Sequence, residues 1–306
     1  MQAGMGGGCA GHRLAAAVSE AGGLGTIGTH APDVLRAELE AARRLTAKPI
    51  AVNLLLPFVG EEHWRVAAEA DVVVTFAGPP RRRLPIPWLH QSATVADARR
   101  AQAAGADGVI VQGVEAGGHV LGTTPGLELL ARVRGALSGL PALLAGGIVD
   151  RAGVEAALEA GAEAAVLGTR FVASAECPAH RGYKDRLVAG TETILTELFG
   201  LGWAAPHRVV PNEATRRWCG RDRRGPAAVR ALNSVASPLA RRLPQATQDA
   251  LLRLQRPHLP LLSPRPPLAD GPANLVDSGP LYAGEGVGRI ESVRPAAELV
   301  RDLAPG

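Results

Sequence analysis

Residues 141–170 read PALLAGGIVDRAGVEAALEAGAEAAVLGTR. An apolar run at 141–145 ends in Gly146-Gly147. An Ala-rich stretch with helical spacing follows at 150–160, and a second apolar run at 163–167 ends in Gly168-Thr169. The order is strand, glycine turn, helix, strand, glycine turn. Both runs are apolar throughout rather than alternating, as a strand buried on both faces requires. They therefore read as neighbours in a parallel sheet, with the helix as the crossover between them.

The same unit repeats upstream. Strands are expected at 24–28, 49–55, 71–76, 86–90 and 107–112, and helices at 31–45, 61–70, 94–104 and 125–137. Pro32 falls in the first turn of its helix, where its missing N–H costs nothing. These five strands and the two above make seven. An eighth must precede a helix expected at 12–21, and only residues 1–4 remain for it. The expectation is a first strand cut short, with about ten residues of it lying upstream, judged from typical strand lengths. Eight such units close into a barrel whose reactive face lies at the C-terminal strand ends. The expected fold class is therefore α/β, a (β/α)8 TIM barrel with a truncated first strand plus a small, mainly helical subdomain. The alternative is an open doubly wound sheet, which calls for a GxGxxG turn after its first strand. Gly4-Met5-Gly6-Gly7-Gly8 lacks that spacing.

Composition agrees. Of 306 residues, 46% are apolar and 20% charged, enough for a large core. Aromatics are only 3%, which leaves Ala, Leu and Val to fill it. The 37 Gly and 24 Pro favour many short elements over a helical bundle. The rhythm changes after residue 175. Residues 176–205 are expected to be helical with a Gly/Trp turn, and 206–275 are Arg- and Pro-rich with helical patches near 227–235 and 246–254. Six Pro crowd into 257–272, a Gly-rich turn follows at 281–288, and a last helix is expected at 295–303. The expected division is a barrel at 1–205, a lid at 206–275, and a segment at 276–306 that returns to the barrel.

The net charge of +4 is unevenly spread. Residues 206–265 hold twelve Arg, among them Arg221, Arg241 and Arg242, against Glu213, Asp222 and Asp249. A surface for nucleic acid would need stacking aromatics, and this segment has Trp218 alone. Only Lys48 and Lys184 accompany 31 Arg, so Arg is simply this chain's usual cation. No nucleic-acid partner is expected. Cys9, Cys177 and Cys219 are odd in number and form no CxxC, which supports neither a zinc site nor a disulfide framework. There is no long apolar run and no basic-then-apolar leader, so a cytoplasmic chain without a membrane partner is expected.

The glycine turns carry the first chemical signal. Ala145-Gly146-Gly147-Ile148 and Leu167-Gly168-Thr169-Arg170 follow strands seven and eight, where barrels of this class bind phosphate. Amide N–H groups at such turns meet an anion with no Cβ in the way. Gln112-Gly113-Val114-Glu115-Ala116-Gly117-Gly118-His119 follows strand six. Its glycines suggest an open loop, and His119 is a candidate general base with a pKa near neutrality. Asn53 interrupts an apolar strand and must bond either a ligand or a neighbouring backbone. Met5 could face a ring or fill the core. His90 ends strand five and is a candidate for the substrate pocket, with Thr75 and Ser92 weaker ones. Arg81-Arg82-Arg83 reads as a solvated turn. Glu61-Glu62 suits the first turn of a helix.

Together these stretches resemble a known family. Gln2-Ala3-Gly4-Met5-Gly6, residues 15–28, Val52-Asn53-Leu54, Gly113 through His119, Ala145-Gly146-Gly147-Ile148 and Gly168-Thr169-Arg170-Phe171 are similar to the nitronate monooxygenases, formerly 2-nitropropane dioxygenases. The likeness runs through 1–205 and resumes at Leu281-Tyr282-Ala283-Gly284. It implies an FMN-dependent barrel enzyme that oxidises alkyl nitronates with O2. Gly146, Gly147, Gly168 and Thr169 would hold the FMN phosphate. Met5, Asn53 and Gln112 would lie along the ring and ribityl chain, with Gly118 and Ala145 beside them. His119 would be the base or substrate-orienting group, and Tyr282 would close the pocket. The same fold and loop also serve enoyl-acyl-carrier-protein reductase II and an NADH:quinone reductase. An NAD(P)H-dependent FMN reductase is therefore the alternative, and an Arg-rich lid could meet its pyrophosphate or an acidic carrier protein. A non-catalytic flavin barrel, or a nucleic-acid-associated protein using the same basic surface, is the third reading.

Overall fold

The computed structural model describes residues 1–305 apart from 221, 241, 242, 244 and 261, so Arg221, Arg241 and Arg242 of the basic segment lie outside the described residues. The apolar runs do form parallel strands: β1 (Gly25–Ile27), β2 (Ile50–Leu55), β3 (Val72–Phe76), β4 (Trp88–Ser92) and β5 (Gly108–Gln112). The next strand, β6 (Gly118–His119), leaves this sheet. β7 (Ala142–Ala145) and β8 (Ala165–Val166) rejoin it, giving the order β1-β2-β3-β4-β5-β7-β8. The crossovers carry α1 (His12–Glu20), α2 (Pro32–Leu45), α3 (Glu61–Ala67), α4 (Val95–Ala103), α5 (Gly126–Ala136) and α6 (Arg151–Glu159). Thr94 caps α4 and Asp150 caps α6 through their side chains. β4 starts two residues later than expected, because Pro85 and Pro87 on either side of Ile86 remove donors there.

The first stave is short yet closes the ring. Gln2 bridges Leu167 in parallel. Ala3 N donates to Leu167 O at 2.9 Å and Leu167 N to Met1 O at 3.0 Å; on the other side Gln2 N donates to Leu24 O at 3.0 Å. The Gln2 side chain extends this ladder, since its Oε1 accepts from Thr26 N at 2.8 Å while Thr26 Oγ1 donates to Gln2 O at 2.8 Å. A fully buried amide side chain thus supplies an acceptor where the stave has too little backbone.

Inside the barrel pack Ala51, Val74, Ile110, Ala145 and Val166, with Met1, Ala3, Leu24, Val72, Leu89 and Leu143 against them. The larger core lies between sheet and helices and includes Trp88, Val109, Val111, Leu129 and Leu130. The small interior residues reflect the shortage of aromatics.

Residues 176–205 depart from the helical expectation. Following α7 (Thr169–Val172), α8 (Arg181–Val188) occupies part of the stretch. The Thr- and Ile-containing run after it becomes β9 (Ile194–Thr196), as β-branched residues favour. β9 and β6 both pair antiparallel to β10 (His207–Val209). A mainly helical layer follows: α9 (Glu213–Trp218), α10 (Ala227–Ala240) and α11 (Gln245–Leu254), then α12 (Leu275–Ser278) and α13 (Ala296–Leu303). A second core joins Ile194, Leu198, Phe199, Val209, Ala214, Cys219, Val229 and Leu262, with Tyr282 packed on it. It draws residues from the segments 194–199, 209–229, 262 and 282 alike. Among the described residues no helix is long and apolar enough to cross a membrane.

Candidate functional site

Side chains alternate along each strand, so the residues two beyond the interior set share its face. One pleat further toward the C-terminal ends this brings Asn53, Phe76, Gln112, Gly147 and Gly168 to the mouth of the barrel. Met5 stands in the same relation to Ala3 on the first stave. A Cβ on Gly168 would sit 3.9 Å from Met5 Sδ. Ala145 lies beside Gln112 in the β5–β7 register. Most of the residues expected along a flavin therefore meet on one face, with Gly146 and Thr169 in the adjoining turns.

Asn53 is buried, and its Nδ2 donates to Gly4 O at 3.1 Å, so it ties the first stave to β2. Gln112 Nε2 donates to His119 O at 3.0 Å, while its Oε1 is buried with no partner. Thr169 Oγ1 accepts from Gly284 N at 2.9 Å, which leaves the hydroxyl engaged within the chain.

His119 does not sit in an open loop. β6 places it directly opposite His207 of β10. Its ring stacks on Trp203 (centroids 3.6 Å apart, planes at 18°), with His207 at 5.3 Å and Tyr282 at 5.7 Å. The expected pKa near neutrality is corrected: burial, and then the neighbouring His207, hold it well below 6.5. His119 is neutral, and its Nε2 is buried with no partner. His207 is fully buried, with Nδ1 2.9 Å from Ala205 O and Nε2 accepting from Phe199 N at 3.3 Å; burial lowers its pKa to about 4. Tyr282 donates its hydroxyl to Pro264 O at 2.7 Å, and its carbonyl accepts from the Tyr183 hydroxyl at 2.5 Å. Its ring is fixed beside His119.

His90 lies elsewhere. It occupies the opposite face of β4 from Leu89, with Nδ1 2.8 Å from Thr75 Oγ1, which also accepts from Trp88 Nε1 at 2.8 Å. Burial lowers its pKa to about 4. The expected pocket role for His90 is corrected on this ground: His90 and Thr75 are turned toward the helices and not the mouth, and Ser92, two residues on, shares their face.

Sequence reasoning passed over Phe58, Phe76 and Trp203. Phe76 was available from strand alternation. Trp203 stands in a loop between β9 and β10, a pairing that no local pattern announced.

The floor of the site is built from three glycine-containing loops. Gly146 and Gly147 have φ of 128° and 68°, a region glycine enters freely. A Cβ on Gly286 would lie 2.2 Å from Gly147 O, so the C-terminal turn can approach only as glycine. Glu285 N donates to Glu115 O at 3.0 Å. Arg208, nearly buried, donates to Val114 O at 3.1 and 2.9 Å and pairs with Glu285 at 2.9 Å. It clamps the His119 loop to the C-terminal turn. No group of three or more His, Cys, Asp or Glu among the described residues could hold a metal.

The chain as a whole is similar to several known proteins. A family model described as nitronate monooxygenase matches residues 1–84 and 82–306. The chain is 31% identical over 337 residues to the (3aS,4S,5R,7aS)-5-hydroxy-7a-methyl-1-oxo-octahydro-1H-indene-4-carboxyl-CoA dehydrogenase of Mycobacterium tuberculosis, covering 99% of this chain and 91% of that one. It is 34% identical over 236 residues to the nitronate monooxygenase of Pseudomonas aeruginosa, covering 57% and 66% respectively. The solved structure of FabK from Thermotoga maritima aligns with a TM-score of 0.76 at 30% identity, covering 99% of this chain and 90% of that chain.

Proposed function

The chain belongs to the nitronate monooxygenase family, a group of FMN-dependent oxidoreductases, and from that premise we propose that it oxidises alkyl nitronates with O2. The observation that carries the reading is that two of the six buried, unpartnered side-chain polar atoms among the described residues, Gln112 Oε1 and His119 Nε2, belong to side chains joined at one place, where Gln112 Nε2 donates to His119 O. Buried polar groups without partners are rare in proteins and call for an occupant. The residues fit FMN. Gln112 Oε1 is an acceptor suited to a hydroxyl or ring N–H, and the glycine floor leaves no side chain in the way of a phosphate.

Gly146, Gly147, Gly168 and the Thr169 backbone would hold the phosphate, with Met5, Asn53, Gln112, Gly118 and Ala145 beside the ribityl chain and ring. Bound FMN supplies the one-electron chemistry toward nitronate and O2. The chain supplies the rest. His119, neutral because it is desolvated, can accept a proton at Nε2 from a nitroalkane carbon when its hydrogen is on Nδ1, or donate an Nε2–H to a nitronate oxygen in the other tautomer. Tyr282 and Trp203 hold the imidazole plane and keep bulk water from that nitrogen.

The second reading is an NAD(P)H-dependent FMN reductase acting on an enoyl thioester or a quinone. It is favoured by the near full-length similarity to a CoA-thioester dehydrogenase. One experiment separates the two. The FMN-loaded protein is mixed without oxygen with a primary alkyl nitronate and, separately, with NADH and NADPH. Bleaching of the flavin by the nitronate alone is the expected result. Fast bleaching by a pyridine nucleotide, with none by nitronates, would replace the first reading by the second.

A further inference from the structure

We propose that α10 docks this protein on an anionic phospholipid surface, with the outer stripe of the helix as the contact. Ala228, Ala231, Leu232, Val235 and Leu239 follow the spacing i, i+3, i+4, i+7 and i+11, so they line one side of α10. In a globular protein such a stripe ordinarily faces the core. Here it faces out: all five residues are exposed, Leu232 at 42%, Val235 at 81% and Leu239 at 69%. The opposite side carries the polar residues Asn233 and Ser237, both buried. Asn233 Nδ2 donates to Leu198 O at 3.2 Å, and Ser237 Oγ accepts from Gly202 N at 3.2 Å. These bonds hold the helix with its apolar side outward. Six of the twelve exposed large apolar residues among the described residues fall between 232 and 259, so the outward apolar surface is concentrated in the basic segment.

Charge selects the occupant. Residues 206–265 hold twelve Arg against three acidic residues, a net charge of +9, which leaves −5 for the rest of a chain whose total is +4. In sequence, Arg223-Arg224 precede α10 and Arg241-Arg242 follow it, and within it Arg230 is the single charged residue. An apolar helix face in a basic segment matches a bilayer, which offers acyl chains beneath anionic headgroups. Apolar burial and charge attraction then add. The acidic remainder of the chain is repelled, which gives the contact one orientation. A second copy of the chain presents the same +9 segment and meets it with like charge. A nucleic-acid backbone would leave the stripe in water. With 14 residues α10 is about 21 Å long, short of the roughly 30 Å core of a bilayer, so it lies in the interface plane. The expectation of no membrane partner rested on the lack of a long apolar run, which a helix lying on the surface does not need.

The test uses the full, FMN-loaded chain as wild type, V235S/L239S and V235S, with L127S, which alters an exposed leucine of α5, as the control. FMN content and far-UV circular dichroism confirm that each is loaded and folded. Vesicle flotation measures the partition coefficient on phosphatidylcholine alone and on phosphatidylcholine with about 30% phosphatidylglycerol, at about 0.1 and 0.5 M NaCl. Wild type should bind the anionic vesicles at least about tenfold better than the neutral ones, and the higher salt should remove most of that difference. V235S/L239S should lower binding to anionic vesicles about tenfold or more at low salt, and L127S should not. If the double variant does not fold, V235S alone decides, with a loss of about threefold. No binding of wild type to anionic vesicles, or equal binding to neutral ones, overturns the proposal and returns the stripe to a protein partner. Binding of V235S/L239S at the wild-type level also overturns it, since charge alone would then account for the contact. Light scattering on the same samples tests the second copy: a wild-type dimer that V235S/L239S dissolves assigns the stripe to self-association and overturns the lipid contact.

Discussion

At the level of single residues, the site turns on two unpartnered atoms and the ring that carries one of them. His119 was legible as a candidate from its glycine-flanked position, but its charge state was not. Histidine type suggests a pKa near neutrality, whereas burial beside His207 holds it well below 6.5. The base form is therefore already complete at pH 6.5 and above. With a neutral nitroalkane, kcat/KM should show no inflection from His119 between pH 6.5 and 8, and a loss only at pH values below the ordinary histidine range. An inflection near 6.5 that vanishes in H119N would contradict this. H119N itself should lower turnover of neutral nitroalkane by about 10²-fold or more, the usual scale of a lost general base. Its FMN content should be unchanged, and wild-type rates in this variant would reject the role. Asn53 shows the opposite case. Residue type left ligand and backbone as equal alternatives, and the bond to Gly4 reveals the strand-tying role.

Among elements, the strands and helices of the barrel were legible because period and punctuation are local properties. The run at 141–145 ends at Gly146 whatever else the chain does. The antiparallel trio β6, β9 and β10 was not legible: each strand has only two or three residues, and 74 residues separate β6 from β9. A strand of that length is specified by its partners and not by its own pattern. The glycine loops fall between these cases. Their turns were visible, but their interlocking depends on Gly286 reaching Gly147, 139 positions earlier in the chain. G286A should therefore displace the Gly146-Gly147 turn, since the added methyl would meet the Gly147 carbonyl oxygen at 2.2 Å. The expected result is FMN affinity reduced about tenfold or more with the far-UV spectrum intact, measured by equilibrium dialysis. Unaltered affinity would mean that the C-terminal turn does not support the cofactor floor.

For the molecule as a whole, the buried neutral histidines link stability to acid. His90 and His207 have folded pKa values of about 4, against 6.5 for the exposed group, because burial disfavours the cation. Below pH 6.5 the unfolded chain binds protons that the folded chain refuses. The stability is thus full above pH 6.5, declines between 6.5 and 4, and below 4 is lower by roughly 3 kcal/mol per histidine. Urea midpoints should fall across that window, and H90Q should show a shallower fall than wild type; an equal slope would remove His90 as a contributor. What the sequence determined by itself was the alternation of buried strands and amphipathic helices, and with it the barrel, because burial pattern and glycine turns act over a few residues. Only the tertiary structure decided how two or three residues of the first stave close the ring through the Gln2 side chain. It alone also decided that His119 is neutral and walled by Trp203, and that His90 faces away. Those outcomes depend on desolvation and contact between residues far apart in the chain, which no local pattern encodes.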